Sequence, residues 1–215
     1  MQYSVDGVFM KSYKLKRWEA ALLAGFAVAL LMGAYLDREQ AALADSVIRL
    51  HVIANSDSRA DQTLKLQVRD RILTEAAALY QPGDDLAQVR RSMERSLALL
   101  AEAGREVVEE QGYDYPVSAS LERTWFPTKK YTDFALPAGN YTALRIVVGE
   151  GKGENWWCVA FPPLCLGSVS ETVDEAAAAG NFTPDQAALI TGESGGYVVK
   201  FKAMELWQEF KNLWD

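Results

Sequence analysis

Apolar and polar positions divide the chain into a short series of segments. Residues 18–36, WEAALLAGFAVALLMGAYL, are apolar apart from Glu19. Nineteen residues at about 1.5 Å rise each make a helix of roughly 28 Å, close to the thickness of a bilayer's hydrocarbon core. A helix of a soluble core keeps a polar face, and this one has none. Residues 47–54, VIRLHVIA, predict a strand. Ile48, Leu50, Val52 and Ala54 face the core, while Arg49 and His51 share the other face with Val47 and Ile53. NSDS at 55–58 turns the chain, and Ser58 and Asp61 have capping-box spacing, with Asp in place of Glu or Gln. Over 59–80, Leu64, Val68, Ile72 and Ala76 recur every four residues, the stripe of an amphipathic helix. Asp61, Lys65 and Arg69 form a second row, suited to i,i+4 ion pairs of about 0.3 kcal/mol each.

Pro82 and Gly83 end that helix. Asp84 or Asp85 caps another running to about Gln111, with Leu86, Val89, Met93, Leu97, Leu100, Val107 and Val108 apolar and Gly112 as its stop. VSASLERTW at 117–125 alternates, placing Val117, Ala119, Leu121, Arg123 and Trp125 on one side. LPAGN at 136–140 is a turn. Strands at 141–148 and 156–161 flank the Gly-rich GEGKGEN, which predicts a β-hairpin. TPDQ at 183–186 opens a short helix. Residues 197–202 predict a last strand and 203–214 a last helix with an aromatic stripe of Trp207, Phe210 and Trp214. This order predicts an α+β fold, helices packed on one mixed or antiparallel sheet.

Composition adds a compartment. The 215 residues are 49% hydrophobic, enough for a core, and carry a net charge of -7. That acidity argues against a nucleic-acid partner. One histidine and two cysteines cannot make a zinc site without carboxylates. Lys11, Lys14, Lys16 and Arg17 precede the apolar stretch, so the N-terminus is expected in the cytoplasm and the rest outside. The expected organisation is a basic N-terminus (1–17), a transmembrane or signal segment (18–36), a linker (37–46) and one extracytoplasmic domain (47–215). ALA at 42–44 has the small-x-small form of a signal cleavage site. The long apolar run and the intervening Asp37, Arg38 and Glu39 fit a retained anchor instead, and both readings stay open. Beyond Ala44 the chain holds 17 Lys/Arg against 25 Asp/Glu.

Four constellations could carry chemistry. His51, Asn55 and Asp57 could form a base with polar partners, but a turn in which Asn and Asp bond the backbone explains them better. Cys158 and Cys165, in CVAFPPLC, could supply a thiol nucleophile to His51. Outside the cytoplasm a disulfide is the main reading, and separately buried thiols the second. GEGKGEN has strands on both sides, whereas a phosphate loop leads into a helix. Trp156 and Trp157 are neighbours on a strand and point to opposite faces, so one is exposed as a binding anchor or covered by another element. No cofactor and no small-molecule substrate is expected.

IRLHVIANSDSRADQTLKLQVRD, PAGNYTALRIVVGEGKGENWWCVAFPPLC and VVKFKAMELW together resemble the stage II sporulation protein R family of endospore-forming bacteria. The resemblance covers residues 47–207. It implies a non-enzymatic signal, exported into the space between forespore and mother-cell membranes. There it would activate a membrane-embedded aspartic protease that removes the pro-sequence of sigma E. The expected contact residues are Arg49, His51, Asn55, Ser56, Asp57, Gln62, Lys65, Arg69 and Asp70, with Trp156 or Trp157 as a second patch. The alternatives are an exported thiol hydrolase using Cys158 and His51, and a non-catalytic cell-envelope binder.

Overall fold

A computed structural model describes residues 16–81, 84–131, 134–164, 172–192, 201–202 and 206–207, the side chains of residues 36 and 37 excepted. It divides into two units, the first ending at Tyr35 and the second beginning at Leu36. Helix α1 (Arg17–Ala44) contains the boundary. In the first unit Trp18, Leu22, Leu23, Phe26, Leu31 and Met32 are all exposed. This helix is long and apolar enough to cross a membrane. A segment apolar on every side suits lipid and is consistent with an anchor or a signal segment.

The second unit is built on a four-stranded mixed sheet ordered β2-β5-β1-β6. Strand β1 (Ile48–Ile53) runs parallel to β5 (Gly139–Val148) and antiparallel to β6 (Asn155–Phe161), and β2 (Val117–Phe126) pairs antiparallel with β5. All six residues of β1 are buried, because both faces of the sheet are covered. On one face Ile48, Leu50 and Val52 pack with Leu64, Val68 and Ile72 of α2 (Arg59–Ala77), with Val89 and Met93 of α3 (Leu86–Arg95), and with Leu100 and Val108 of α4 (Leu97–Glu110). Full burial of each such side chain contributes about 1.5–3 kcal/mol. Gly104 lets α4 come close: a Cβ there would lie 3.0 Å from Val117 and 3.4 Å from Val68.

The other face forms a second core. Phe126, Tyr141, Ala143 and Val159 meet the two-stranded sheet β3 (Lys129–Lys130) and β4 (Ala135–Leu136), α5 (Val173–Ala178) and α6 (Pro184–Thr191). The last turn of α1 joins it, with Leu43 and Ala44 fully buried. Both α5 and α6 begin with capping boxes, at Thr172 and Thr183. The α+β reading therefore holds, with a mixed sheet.

Several boundaries differ from expectation. The predicted hairpin does not form, since β1 lies between β5 and β6. A strand without an exposed face needs a partner on each edge, and β1 takes both. The Gly-rich connection instead arches over the end of β1, with Lys152 N donating to Asn55 O and Gly153 N to Ala54 O. The second predicted helix is two, parted at Ser96, and α2 stops at Ala77. Arg123 and Trp125 lie past the helices and are exposed, while Phe126 enters the second core. Phe201 and Lys202 are helical, and the rest of the predicted last strand lies outside the described residues. Leu206 and Trp207 are helical as expected; Phe210, Leu213 and Trp214 lie outside the described residues.

The cleavage-like ALA at 42–44 lies in the final helical turn of α1, so a cut after Ala44 would remove two core residues. Leu43→Ala should cost about 2–5 kcal/mol through the lost burial and the cavity left behind. Urea unfolding of the full chain in nonionic micelles measures this, and unchanged stability would show that α1 contributes nothing to the domain.

Candidate functional site

The corner at 54–58 leads from β1 into α2. Ser58 caps α2, its hydroxyl accepting from Asp61 N at 3.1 Å. The buried Asp61 carboxylate accepts from Asn55 Nδ2 at 3.0 Å and from the Ser56 hydroxyl at 2.5 Å. The Ser56 hydroxyl is the main reason that its carboxyl is held below the usual carboxylate range, with Asn55 and Ser58 adding to the effect. Asn55 Oδ1 accepts from Glu150 N at 2.9 Å, Asp57 Oδ1 from Glu154 N at 2.6 Å, and Gln62 Nε2 donates to Ser56 O at 2.9 Å. The corner thus ties three segments: the end of β1, the start of α2 and the β5–β6 connection. Two glycines make the approach possible. Gly149 has φ +59 beside the Asn55 side chain, and a Cβ on Gly153 would lie 2.3 Å from Ser56 O. Asn55, Ser56 and Gln62 are half-buried and Asp57 is exposed, yet each is committed to a bond inside the protein.

The charged row of α2 does not form a ladder. Asp61 turns into the corner. Lys65 is 4% exposed, and its Nζ donates to Gln62 Oε1 at 2.5 Å and Glu154 O at 2.9 Å. Burial lowers the Lys65 pKa, opposed by the charges of Glu154 and Asp57. Arg69 pairs with the exposed Asp70 at 2.6 Å, and its guanidinium carbon lies 4.5 Å from the centroid of Trp156. Each residue of the row has a nearer partner than its neighbour four residues on.

Arg49 and His51 are buried on the second-core face. The Arg49 guanidinium carbon lies 4.1 Å from the Phe126 centroid and 4.9 Å from that of Tyr141, and Nη2 donates to Tyr131 Oη at 2.8 Å. Ring faces and a phenol, rather than a carboxylate, hold this charge. His51 Nε2 is 2.8 Å from Asn155 Oδ1, and its ring stacks on Trp157 at 4.1 Å. Burial lowers the His51 pKa, outweighing the hydrogen bond to Asn155, so the imidazole is neutral at neutral pH. Arg49, His51 and Lys65, expected as contact residues, are buried and make these bonds inside the protein. Their burial follows from a strand and a helix face covered on both sides.

The two tryptophans divide as strand geometry requires. Trp156 is 37% exposed, and Trp157 is half-buried against His51 and Phe126. Cys158 is buried opposite Leu50 in the first core, whereas His51 faces the second. The sheet separates them, so His51 cannot take a proton from Cys158, and this pair does not form. Among the described residues there is no free thiol and no metal-ligating group of His, Cys, Asp or Glu. Cys165 lies outside the described residues. Tyr131 and Asn155 were not expected at the site; they stand 82 and 104 residues from Arg49 and His51, and no local pattern links them.

Asp61→Asn should cost about 1–3 kcal/mol at neutral pH by unsettling a buried hub. The native carboxyl titrates lower folded than unfolded, so its contribution is present above the ordinary carboxylate range and is lost as pH falls through the depressed value. Urea unfolding across acid pH should show the gap between variant and native protein closing on acidification; a gap independent of pH would mean that the charge is not what matters.

Residues 44–171 match the family described as Stage II sporulation protein R, which covers the corner, the sheet and Cys158. The chain is 36% identical over 130 residues to the Stage II sporulation protein R of Bacillus subtilis (strain 168), an alignment covering 60% of this chain and 58% of that relative. No solved structure matches. With more than half of the chain in the family match, including every residue of the polar corner and of the sheet, the chain belongs to the stage II sporulation protein R family.

Proposed function

We propose that this chain is an exported sporulation signal that activates a membrane-embedded aspartic protease, which then processes the mother-cell sigma factor precursor, pro-sigma E. The domain acts in the space between forespore and mother-cell membranes, held there by α1 or released from it. The observation that carries this reading is the family membership of the folded domain, in a chain whose N-terminal helix is apolar enough to cross a membrane. The polar corner supports it as a scaffold: its bonds are spent internally, which fixes the neighbouring surface of Arg69, Asp70 and Trp156. A preformed surface loses little entropy on binding. It shifts a receptor between states only through a difference in affinity for the two.

Cys158 pairs with Cys165 in this reading, closing a short loop after β6. The loop-entropy account gives about 2–3 kcal/mol for a bridge of this size. The cysteines stabilise the domain and carry no chemistry.

Replacing Arg69, Asp70 and Trp156 together with Ala should leave the fold within about 1 kcal/mol of native, as for surface changes, and should abolish pro-sigma E processing. Immunoblots of sporulating cells with matched protein levels test this; normal processing would reject the surface. Cys158→Ser with Cys165→Ser should lower stability by the amount above while processing persists once enough protein is made. Loss of processing by the folded double variant would return the thiol reading.

A further inference from the structure

Strand β2 lies at one end of the order β2-β5-β1-β6 and pairs with β5 along its whole length of 10 residues, without a bulge. Gly149 N donates to Pro116 O, so residues 116 and 149 form a bonded pair in line with the register of the two strands. Bonded and non-bonded pairs alternate along an antiparallel ladder. Even-numbered residues of β2 therefore bond to β5, and Val117, Ala119, Leu121, Arg123 and Trp125 turn their N–H and C=O groups outward. None of these outward groups has a hydrogen bond among the described residues. An open edge of this length normally carries a bulge, a proline or a lysine that blocks pairing. β2 has none of these. Its charged residues are Glu122 and Arg123, and both are drawn aside, to Arg145 of β5 at 3.7 Å and to Asp45 at 2.9 Å. Val117, Ala119 and Leu121 are only half-buried against the first core, and Trp125 is 43% exposed.

This edge is complementary to itself. Leu121 stands in the middle of the outward residues, and a two-fold axis through it lays β2 antiparallel on the β2 of a second copy, the self-matching contact of a symmetric dimer. Outward residues then meet outward residues: Val117 opposes Trp125, Ala119 opposes Arg123, and Leu121 opposes its own counterpart. These pairs exchange about ten main-chain hydrogen bonds, and Trp125 of each copy covers the half-buried Val117 of the other. On the opposite face Ser118 meets Thr124 and Ser120 meets Glu122, so no like charges are set together. Slipping the strands by two residues one way centres Glu122 on its own counterpart, with carboxylates face to face. Slipping them the other way leaves Trp125 beyond the end of β2. We infer that the outer edge of β2 is a dimer interface, which joins two copies of this domain through one continuous sheet. The inference goes beyond the proposed function, which requires neither a monomer nor a dimer.

Sedimentation equilibrium of the full chain in density-matched nonionic micelles, over a range of protein concentration, should show a reversible dimer. Ala119→Pro removes an outward N–H and spares the bonds to β5, a place where an edge strand tolerates proline. It should raise the dimer dissociation constant by about tenfold or more while the circular dichroism stays native. Leu121→Lys sets two ammonium groups at the axis; it should have the same effect, and it serves if the proline variant fails to fold. Leu121→Cys should form a disulfide-linked dimer under mild oxidation, beyond any formed by the native chain, since bonded pairs stand about 5.5 Å apart. Ala119→Cys, roughly 14 Å from its counterpart, should cross-link only when mixed with Arg123→Cys. A monomer at every concentration would overturn the inference and leave the edge to a strand of another protein. A dimer indifferent to both substitutions would also overturn it, placing the contact on α1 or another face, as would cross-linking by Ala119→Cys alone.

Discussion

Burial of β1 on both faces forces every polar side chain on that strand to find its partner inside the protein. Arg49 finds aromatic rings and the Tyr131 phenol; His51 finds Asn155 and Trp157. Those partners come from β2, β5, β6 and the segment after β3, so satisfying one strand draws distant parts of the chain together. The same demand explains the strand order. A strand with no wet face or edge belongs inside a sheet, which places β5 on one side and β6 on the other.

Where β1 ends, its partners change from rings to hydrogen bonds. Asp61 reaches back from the first turn of α2 to Asn55 and Ser56, while Asn55 and Asp57 accept amides of the β5–β6 connection. Each bond alone contributes about 1 kcal/mol, but the members are shared, so losing one weakens the others. A corner built this way has little freedom left. Its chemistry is therefore that of a scaffold, and beside it the Arg69 guanidinium lies over the Trp156 ring.

Much of this was legible in the sequence. The apolar N-terminal segment, the strand from Ile48, the Ser58 cap, the stripe of Leu64, Val68 and Ile72 and the Thr183 cap all declare themselves within a few residues. Local physics decides them: hydrogen-bond needs at helix ends and the periods of helix and strand. The opposite orientation of Trp156 and Trp157 follows from the same rule.

Which tryptophan is exposed, by contrast, depends on what packs over each face. The separation of β5 and β6 was hidden because two strands joined by glycines read as a hairpin unless a third strand comes between them. Lys65 looked like one rung of a charged row until its burial beneath Glu154 sent it elsewhere. Pattern along the chain established the elements and the family. Contacts between residues about a hundred positions apart, which leave no periodic trace, decided which side chains are buried supports and which face outward.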